Sequence, residues 1–349
     1  MLMGRLNDDP SNAGDALAAL VAVYGLESVT KVSFIIEGLM NRNWRLETTR
    51  GGFVLKQLLD VSPTKARRNF MVLAALAEFG LPVPVPMPAS NGDLVVELED
   101  GAYCLFEWAS GAHVRGTDLT PAESAKFGEL VGSLHDALNS DRISDALGGP
   151  PERPRADVTA PESAVAEAER FLAVVEALKD PHDFDATVAV DLRQRLKLIN
   201  AYEAHRPEGV VSIGPVGWTH GDLQYRNLLW SDSKVSAVLD WDRIGARPLA
   251  DEVVRTAQVQ FGLPDGQLNL ERIATFASAY QSRFPLSAEA LVDAGDRLWW
   301  KRMTDFWPLI WHYDKGDSGP DDIWLAGERQ LAWWCEHRAE VTAAFLGNA

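Results

Sequence analysis

Cysteine is nearly absent from this chain of 349 residues: Cys104 and Cys335 stand far apart and form no CxxC pair. That leaves no disulfide framework and no cysteine-rich zinc site. Long apolar runs are missing too. The longest, such as LAALVAVYGL near the N-terminus, fall short of the roughly 20 residues a membrane span needs, and no basic segment leading into an apolar stretch opens the sequence. A soluble, cytoplasmic protein without a membrane partner is expected. Basic charge is scarce, with 33 Lys and Arg against 50 Asp and Glu and a net charge of −17. Binding to nucleic acid by counterion release is therefore not expected. The imbalance is uneven: residues 1–105 carry 9 basic and 12 acidic side chains, the remainder 24 and 38. An acidic C-terminal part either steers cationic small molecules toward a cleft or keeps the surface soluble. Four well-defined motifs are also lacking, namely GxxxxGK[ST], GxGxxG after a strand, GxSxG and HExxH, and with them the chemistries they carry.

What is there has two characters. At this length a chain tends to divide into more than one core. Residues 13–26 have helical apolar spacing; then VTKVSFIIEG, NRNWRLETT and FVLKQLL read as strands, the last two joined at Gly51-Gly52. Ser62-Pro63 opens a helix that stops at Gly80, and LPVPVPMP forces an extended connector. DLVVELE and AYCLFEW form a hairpin across Asp100-Gly101. After Trp108 the chain turns helical, over 121–139, 161–178, 186–204 and from about 249 to 346. A Pro-rich stretch, GGPPERPRADVTAPE, reads as an exposed excursion. A second strand pair, NLLW and VSAVLDWD, interrupts the helices.

Around that pair lies the one constellation with a chemical meaning: His220-Gly221-Asp222, then Asn227, then Asp240 in LDWD. Moving a phosphoryl group to a hydroxyl asks little covalent help of a protein. It asks for a carboxylate that accepts the hydroxyl proton, oxygen ligands for Mg²⁺ and a cation on the nucleotide phosphates. Asp222 suits the first task, Asn227 and Asp240 the second, and Lys56 of FVLKQ the third; amide and carboxylate oxygens are the ligands Mg²⁺ prefers.

The patterns HGDLQYRN and VLDWD, at their spacing, resemble the aminoglycoside phosphotransferase and choline-kinase-like family, relatives of the protein kinases. FVLKQ is similar to that family's lysine strand, GLPVPVP to its connector, YCLFEWASG to its hinge, LVGSLHDAL to an early helix, and GARPLADEVV to the segment after the metal aspartate, with Asp251 at a bracing position. The resemblance spans most of residues 30–260. It implies a two-lobed, protein-kinase-like α+β fold: an N-lobe over 1–105 with an antiparallel sheet and one helix, a hinge over 106–110, and a mostly helical C-lobe over 111–349. It further implies ATP and Mg²⁺ as cofactors, Asp222 as catalytic base, Asn227 and Asp240 as metal ligands, and Lys56 on the phosphates. The hinge backbone near Glu107 and Trp108 would meet the adenine, and the loop EGLMNRN, with Gly38 and Asn41, would cover the phosphates. His220 would brace the catalytic loop.

One departure from the family stands out. Its lysine pairs with a glutamate on the following helix, yet residues 61–77 hold no carboxylate and the expected place is Asn69. Asn69 itself, Glu78, Asp60, or the nucleotide together with Asp240 are the substitutes the sequence offers. Asp242 reads either as support for the metal or as a surface ion-pair partner, Arg226 as a transition-state cation or a structural pair, and His135 as a hydrogen-bonded core histidine. Seven of the twelve tryptophans fall between 299 and 334. Trp300, Met303, Trp307 and Trp311 follow the spacing of a core-facing stripe that Pro308 kinks or restarts, and some of these rings are candidates to wall the acceptor pocket, with Asp314, Asp317, Asp321 and Asp322 nearby. The expected activity is phosphoryl transfer from ATP to a hydroxyl of a small molecule. An aminoglycoside or nucleoside-type antibiotic is the first acceptor considered, and homoserine, choline or a sugar the second. A catalytically dead, nucleotide-binding module is the remaining alternative.

Overall fold

A computed structural model describes residues 14–35, 41–149 and 151–348. In chain order the first elements are α1 (Gly14–Val23), β1 (Val29–Ile35), β2 (Arg42–Thr48), β3 (Gly51–Leu58), α2 (Pro63–Met71), α3 (Leu73–Glu78), β4 (Pro86–Met87), β5 (Val96–Leu98) and β6 (Gly101–Glu107). Then come α4 (Pro121–Leu138), α5 (Asp141–Ala146), α6 (Pro161–Glu176), α7 (Asp183–Tyr202), β7 (Val216–Thr219), β8 (Leu228–Ser231), β9 (Lys234–Val238) and β10 (Gly245–Pro248). The last are α8 (Leu249–Gln260), α9 (Leu270–Arg283), α10 (Ala288–Thr304), α11 (Trp307–Leu309), α12 (Asp321–Glu336) and α13 (Arg338–Phe345). These elements fall into two compact units, one of Met1–Val114, Asp136–Pro150 and His220–Gly245, the other of Arg115–His135, Pro151–Thr219 and Ala246–Ala349.

The first unit is built on an antiparallel sheet in the order β1-β2-β3-β6-β4, with β5 also on β6. Side chains alternate across a strand, so Trp44, Leu46, Phe53, Leu55, Tyr103 and Leu105 share one face, and Ala16 and Leu20 of α1, with Tyr24 just after it, close over it. Lys56 has the opposite parity and therefore leaves that core for the other face. There it stands between Asn43 and Cys104 in register.

Ser62 caps α2, its side chain accepting from Lys65 N, with Pro63 at the first turn. The helix expected to run on to Gly80 is interrupted by Val72, a buried β-branched residue with ψ of −12° that separates α2 from α3. The buried stripe of α2 is Ala66, Asn69 and Phe70, which puts an amide among apolar groups. The strand expected over residues 93–99 is cut to β5, because Asp93 turns its carboxylate back to Val95 N and onto Arg67. Between β8 and β9 the chain reverses through Asp232 and Ser233, both with positive φ, as a two-residue hairpin prefers.

The second unit is helical apart from the short pair β7 and β10. α6 packs along α7 and α8 against α10. His135 of α4 is fully buried and holds the Tyr280 hydroxyl (2.8 Å) and Glu252 (2.8 Å), as a core histidine should. Pro308 restarts the chain as α11 after α10 ends, and a π-helical turn, Ile310–Asp314, follows. Trp299, Trp300, Trp324 and Trp334 are core, whereas Trp307 is exposed and Trp311 half-buried, so the aromatic stripe is only partly interior. Among the described residues no helix is long and apolar enough to cross a membrane.

Candidate active site

The catalytic-type residues found in the sequence meet inside the first unit. β8 and β9 pair Leu228 with Val238, and Leu239 N extends the pairing to Asn227 O (2.8 Å). Asp240 thus emerges beside Asn227 although thirteen positions separate them in sequence. At that point the backbone turns left-handed: Asp240 has φ 66° and ψ 58°, a conformation that costs an L-residue about 1–2 kcal/mol and that aspartate tolerates better than most. A 3₁₀ turn, Trp241–Arg243, follows and carries Asp242 inward.

Lys56 meets both carboxylates. Its Nζ donates to Asp240 Oδ1 and, at 2.8 Å, to Asp242 Oδ1. The Asp240 side chain keeps 31% of its surface exposed, the Asp242 side chain 3%. Asp242 Oδ2 accepts from Asn41 Nδ2 (3.1 Å), and Asn41 Oδ1 accepts from Leu59 N (2.9 Å). Asn69 donates to the Asp242 carbonyl (2.8 Å) and, more weakly, to that of Trp241 (3.4 Å); its own oxygen is held by Arg68. Burial alone would pull the Lys56 ammonium down, but Asp242 and Asp240 outweigh it and hold it above the ordinary lysine range. Burial likewise works against the Asp240 carboxylate, and Lys56 overcomes it, bringing that group down to about 2. Asp242 moves upward, through burial and through the neighbouring Asp240 charge. Two carboxylates around one ammonium leave a net negative charge in a poorly solvated place, a condition that favours an added cation.

The loop before β8 is set by His220. Its Nδ1 accepts from Asp222 N (3.2 Å) and its Nε2 donates to Leu239 O (2.8 Å), so one tautomer spans both segments. The ring lies edge-on to Trp241 at 4.6 Å. Gly221 has φ 92°, which a side chain would resist. Asp222 Oδ2 accepts from Gln224 Nε2 (3.0 Å) and Asn227 Nδ2 (3.2 Å), and the same Asn227 amide also donates to Asp222 O (2.8 Å). With Nδ2 committed to Asp222, Asn227 Oδ1 accepts no hydrogen bond from the described residues. An amide oxygen from Asn227 and a partly exposed carboxylate from Asp240 form a hard, sparse donor set, which fits Mg²⁺ because that ion keeps most of its waters.

At the end of β6, Trp108 N donates to Gly52 O (2.9 Å), and alternation along the ladder directs the backbone groups of Glu107 away from β3. Both residues are exposed, and the Arg45 guanidinium lies 4.3 Å over the Trp108 ring. Gly38 lies outside the described residues. Arg226 is exposed and donates to the Tyr225 hydroxyl (3.0 Å) rather than to a carboxylate. Glu78 and Asp60 are taken by Arg142 (2.7 Å) and Arg243 (2.6 Å), so neither reaches Lys56. Of the carboxylates offered, Asp240 does, and Asp242 joins it. The burial of Asp242 was the missing signal, since in sequence a charged residue two positions past Asp240 reads as well outward as inward.

A model of the phosphotransferase enzyme family matches residues 31–286. A homoserine kinase of Bradyrhizobium diazoefficiens is 26% identical over 272 residues, which are 77% of this chain and 75% of that protein. Among solved structures, an aminoglycoside phosphotransferase from Alicyclobacillus acidocaldarius superposes with a TM-score of 0.62 at 15% identity, covering 93% of this chain and 96% of its own. A spectinomycin phosphotransferase in complex with ADP and spectinomycin gives 0.64 at 13%, covering 95% and 97%. The chain has the two-lobed, protein-kinase-like α+β fold that its motifs imply.

Proposed function

We propose, from the premise that this chain belongs to the phosphotransferase enzyme family, that it moves the γ-phosphoryl group of ATP to a hydroxyl of a small amino-alcohol metabolite of the homoserine type. It is a small-molecule kinase. The observation that carries the reading is the Lys56–Asp240–Asp242 cluster together with Asp222 and Asn227 joined by one amide. In this reading Asp222, oriented by Gln224 and Asn227, receives the acceptor hydroxyl and takes its proton as the phosphoryl group arrives. Lys56 neutralises the nucleotide phosphates. Asn227 and Asp240 hold Mg²⁺, which when bound supplies charge neutralisation on the phosphoryl oxygens. Glu107 offers backbone groups to the adenine, beside a Trp108 whose N–H is already used by β3. Asn41, spent on Asp242 and Leu59, steadies the cluster rather than touching phosphate.

For the acceptor, relatives with sequence similarity over about three quarters of both chains are homoserine kinases, and this weighs more than a likeness of fold. The antibiotic-modifying alternative rests on the fold shared with the spectinomycin and aminoglycoside enzymes. Purified protein with Mg-ATP and a panel of homoserine, choline, sugars, spectinomycin and aminoglycosides, read by ADP release and phosphorus NMR, separates them. Phosphohomoserine formation is the expected result. Phosphorylation of an antibiotic with none of homoserine would overturn the acceptor assignment, and nucleotide binding with no phosphorylated acceptor would favour the dead module.

A further inference from the structure

We infer that Asp242 is the permanent anchor of Lys56, a positioning residue that leaves Asp240 able to turn to the metal. The inference rests on the reading above in placing Lys56 on the nucleotide phosphates. A lysine that must meet phosphates needs a partner that stays when the nucleotide and its metal arrive. Asp240 cannot be that partner alone: it is the more exposed of the two carboxylates, and it is the one the metal would claim. Asp242 has both oxygens committed, Oδ1 to Lys56 and Oδ2 to Asn41, and its side chain is almost wholly removed from water. Its backbone is fixed as well, since Asn69 of α2 donates to its carbonyl. With Glu78 and Asp60 paired elsewhere, Asp240 and Asp242 are the carboxylates that hold Lys56 among the described residues.

The arrangement has a consequence for how the site is assembled. The partner of Lys56 sits on the same turn as Asp240, and α2 contributes an amide that grips the backbone of that turn instead of a charge that grips the lysine. Anchor and metal aspartate are then set together by the exit of the β8–β9 hairpin, and they meet the lysine that β3 presents. A shift of α2 would loosen the turn without presenting or withdrawing a counter-charge.

The test is a binding cycle with a fluorescent ATP analogue and Mg²⁺, without acceptor, on wild type, Asp242→Asn, Lys56→Met and the double variant. Unfolding curves confirm that each is folded. Asp242→Asn is expected to weaken nucleotide binding about tenfold, with no further loss once Lys56 is Met, because the anchor then has nothing to hold. The Mg²⁺ concentration for half-maximal binding should stay at the wild-type value in Asp242→Asn and rise in Asp240→Asn. Losses that multiply in the double variant, wild-type affinity in Asp242→Asn, or a Mg²⁺ requirement that rises as it does for Asp240→Asn would overturn the inference, the last by making Asp242 a metal ligand. If Asp242→Asn does not fold, Asn41→Ala carries the same cycle: a smaller loss, about threefold, that vanishes in the Lys56→Met background supports the anchor, and a loss that persists there defeats it. A wild type that binds nucleotide but phosphorylates no acceptor refutes the proposed function and leaves this inference standing; one that binds no nucleotide refutes both.

Discussion

Two buried cations, one in each unit, show how differently the same ingredient is used. In the helical unit, Arg195 of α7 is 3% exposed and paired to Glu328, donates to the Met303 carbonyl (2.7 Å), and lies near the faces of Phe306 (5.3 Å) and Trp324 (5.0 Å). Its partners are structural, and each guanidinium nitrogen donates to one of them. Lys56 has a flexible stem and two carboxylates, one of which remains nearly one-third exposed. A buried charge stabilises little beyond what its desolvation costs, so what separates the two is access. Arg195 is closed on every side, while the Lys56 cluster keeps an open oxygen and an excess of negative charge.

The largest effect expected lies on the Lys56 side. Asp222→Asn should lower phosphoryl transfer about 10³-fold or more, with nucleotide affinity kept within about twofold, as single-turnover and binding measurements would show; a variant with wild-type turnover would remove Asp222 as the base. Next comes the contrast itself. Arg195→Met leaves Glu328 buried and unpaired and should cost about 3 kcal/mol in urea unfolding, while kcat/KM below the transition stays close to wild type. Lys56→Met also leaves a buried carboxylate, Asp242, unpaired and should destabilise the chain, but unlike Arg195→Met it should lower kcat/KM about 10²-fold. Equal stability losses with equal activity losses would erase the distinction between the two sites.

The smallest effect concerns Asp251 of α8. Its Oδ1 is buried with no hydrogen-bond partner among the described residues, and burial, with the nearby Asp293 charge, lifts the carboxyl to about 6 against the counteracting Arg297. The folded chain therefore holds this proton more tightly than the unfolded chain does, so stability falls as pH rises from about 4 through about 6 and the penalty is full above that. Asp251→Asn should raise stability at pH 8 by on the order of 1 kcal/mol, discounting for partial solvation, and change it little at pH 4. Equal unfolding midpoints for the variant and wild type at pH 8 would show that the carboxylate is better solvated than its surroundings suggest.

Most of the fold was legible because its signals are local. Alternation in NRNWRLETT and FVLKQLL put Lys56 on the face opposite the α1 core, and Ser62-Pro63 and Gly80 marked where a helix begins and ends. The interruption at Val72 and the shortening of β5 were not legible. Each depends on what a side chain packs against or bonds to, Val72 in the core and Asp93 on Arg67. The site divides in the same way: residue type and spacing offered Asp222 with Asn227 and Lys56 with Asp240, pairs that the fold brings into contact, whereas Asp242, the second partner of Lys56, was not among the substitutes that the sequence offered.

By itself the sequence determined which groups are available for chemistry: one aspartate and one asparagine on a loop, one aspartate at a strand end, one lysine on a strand, and no carboxylate on the helix where one would serve. Tertiary structure decided which of two aspartates on one turn is buried. That choice depends on a left-handed backbone at Asp240, an amide from Asn69 and another from Asn41. Those contacts join positions up to 201 residues apart, and local spacing carries no record of which distant donor will meet a given oxygen once the chain has closed.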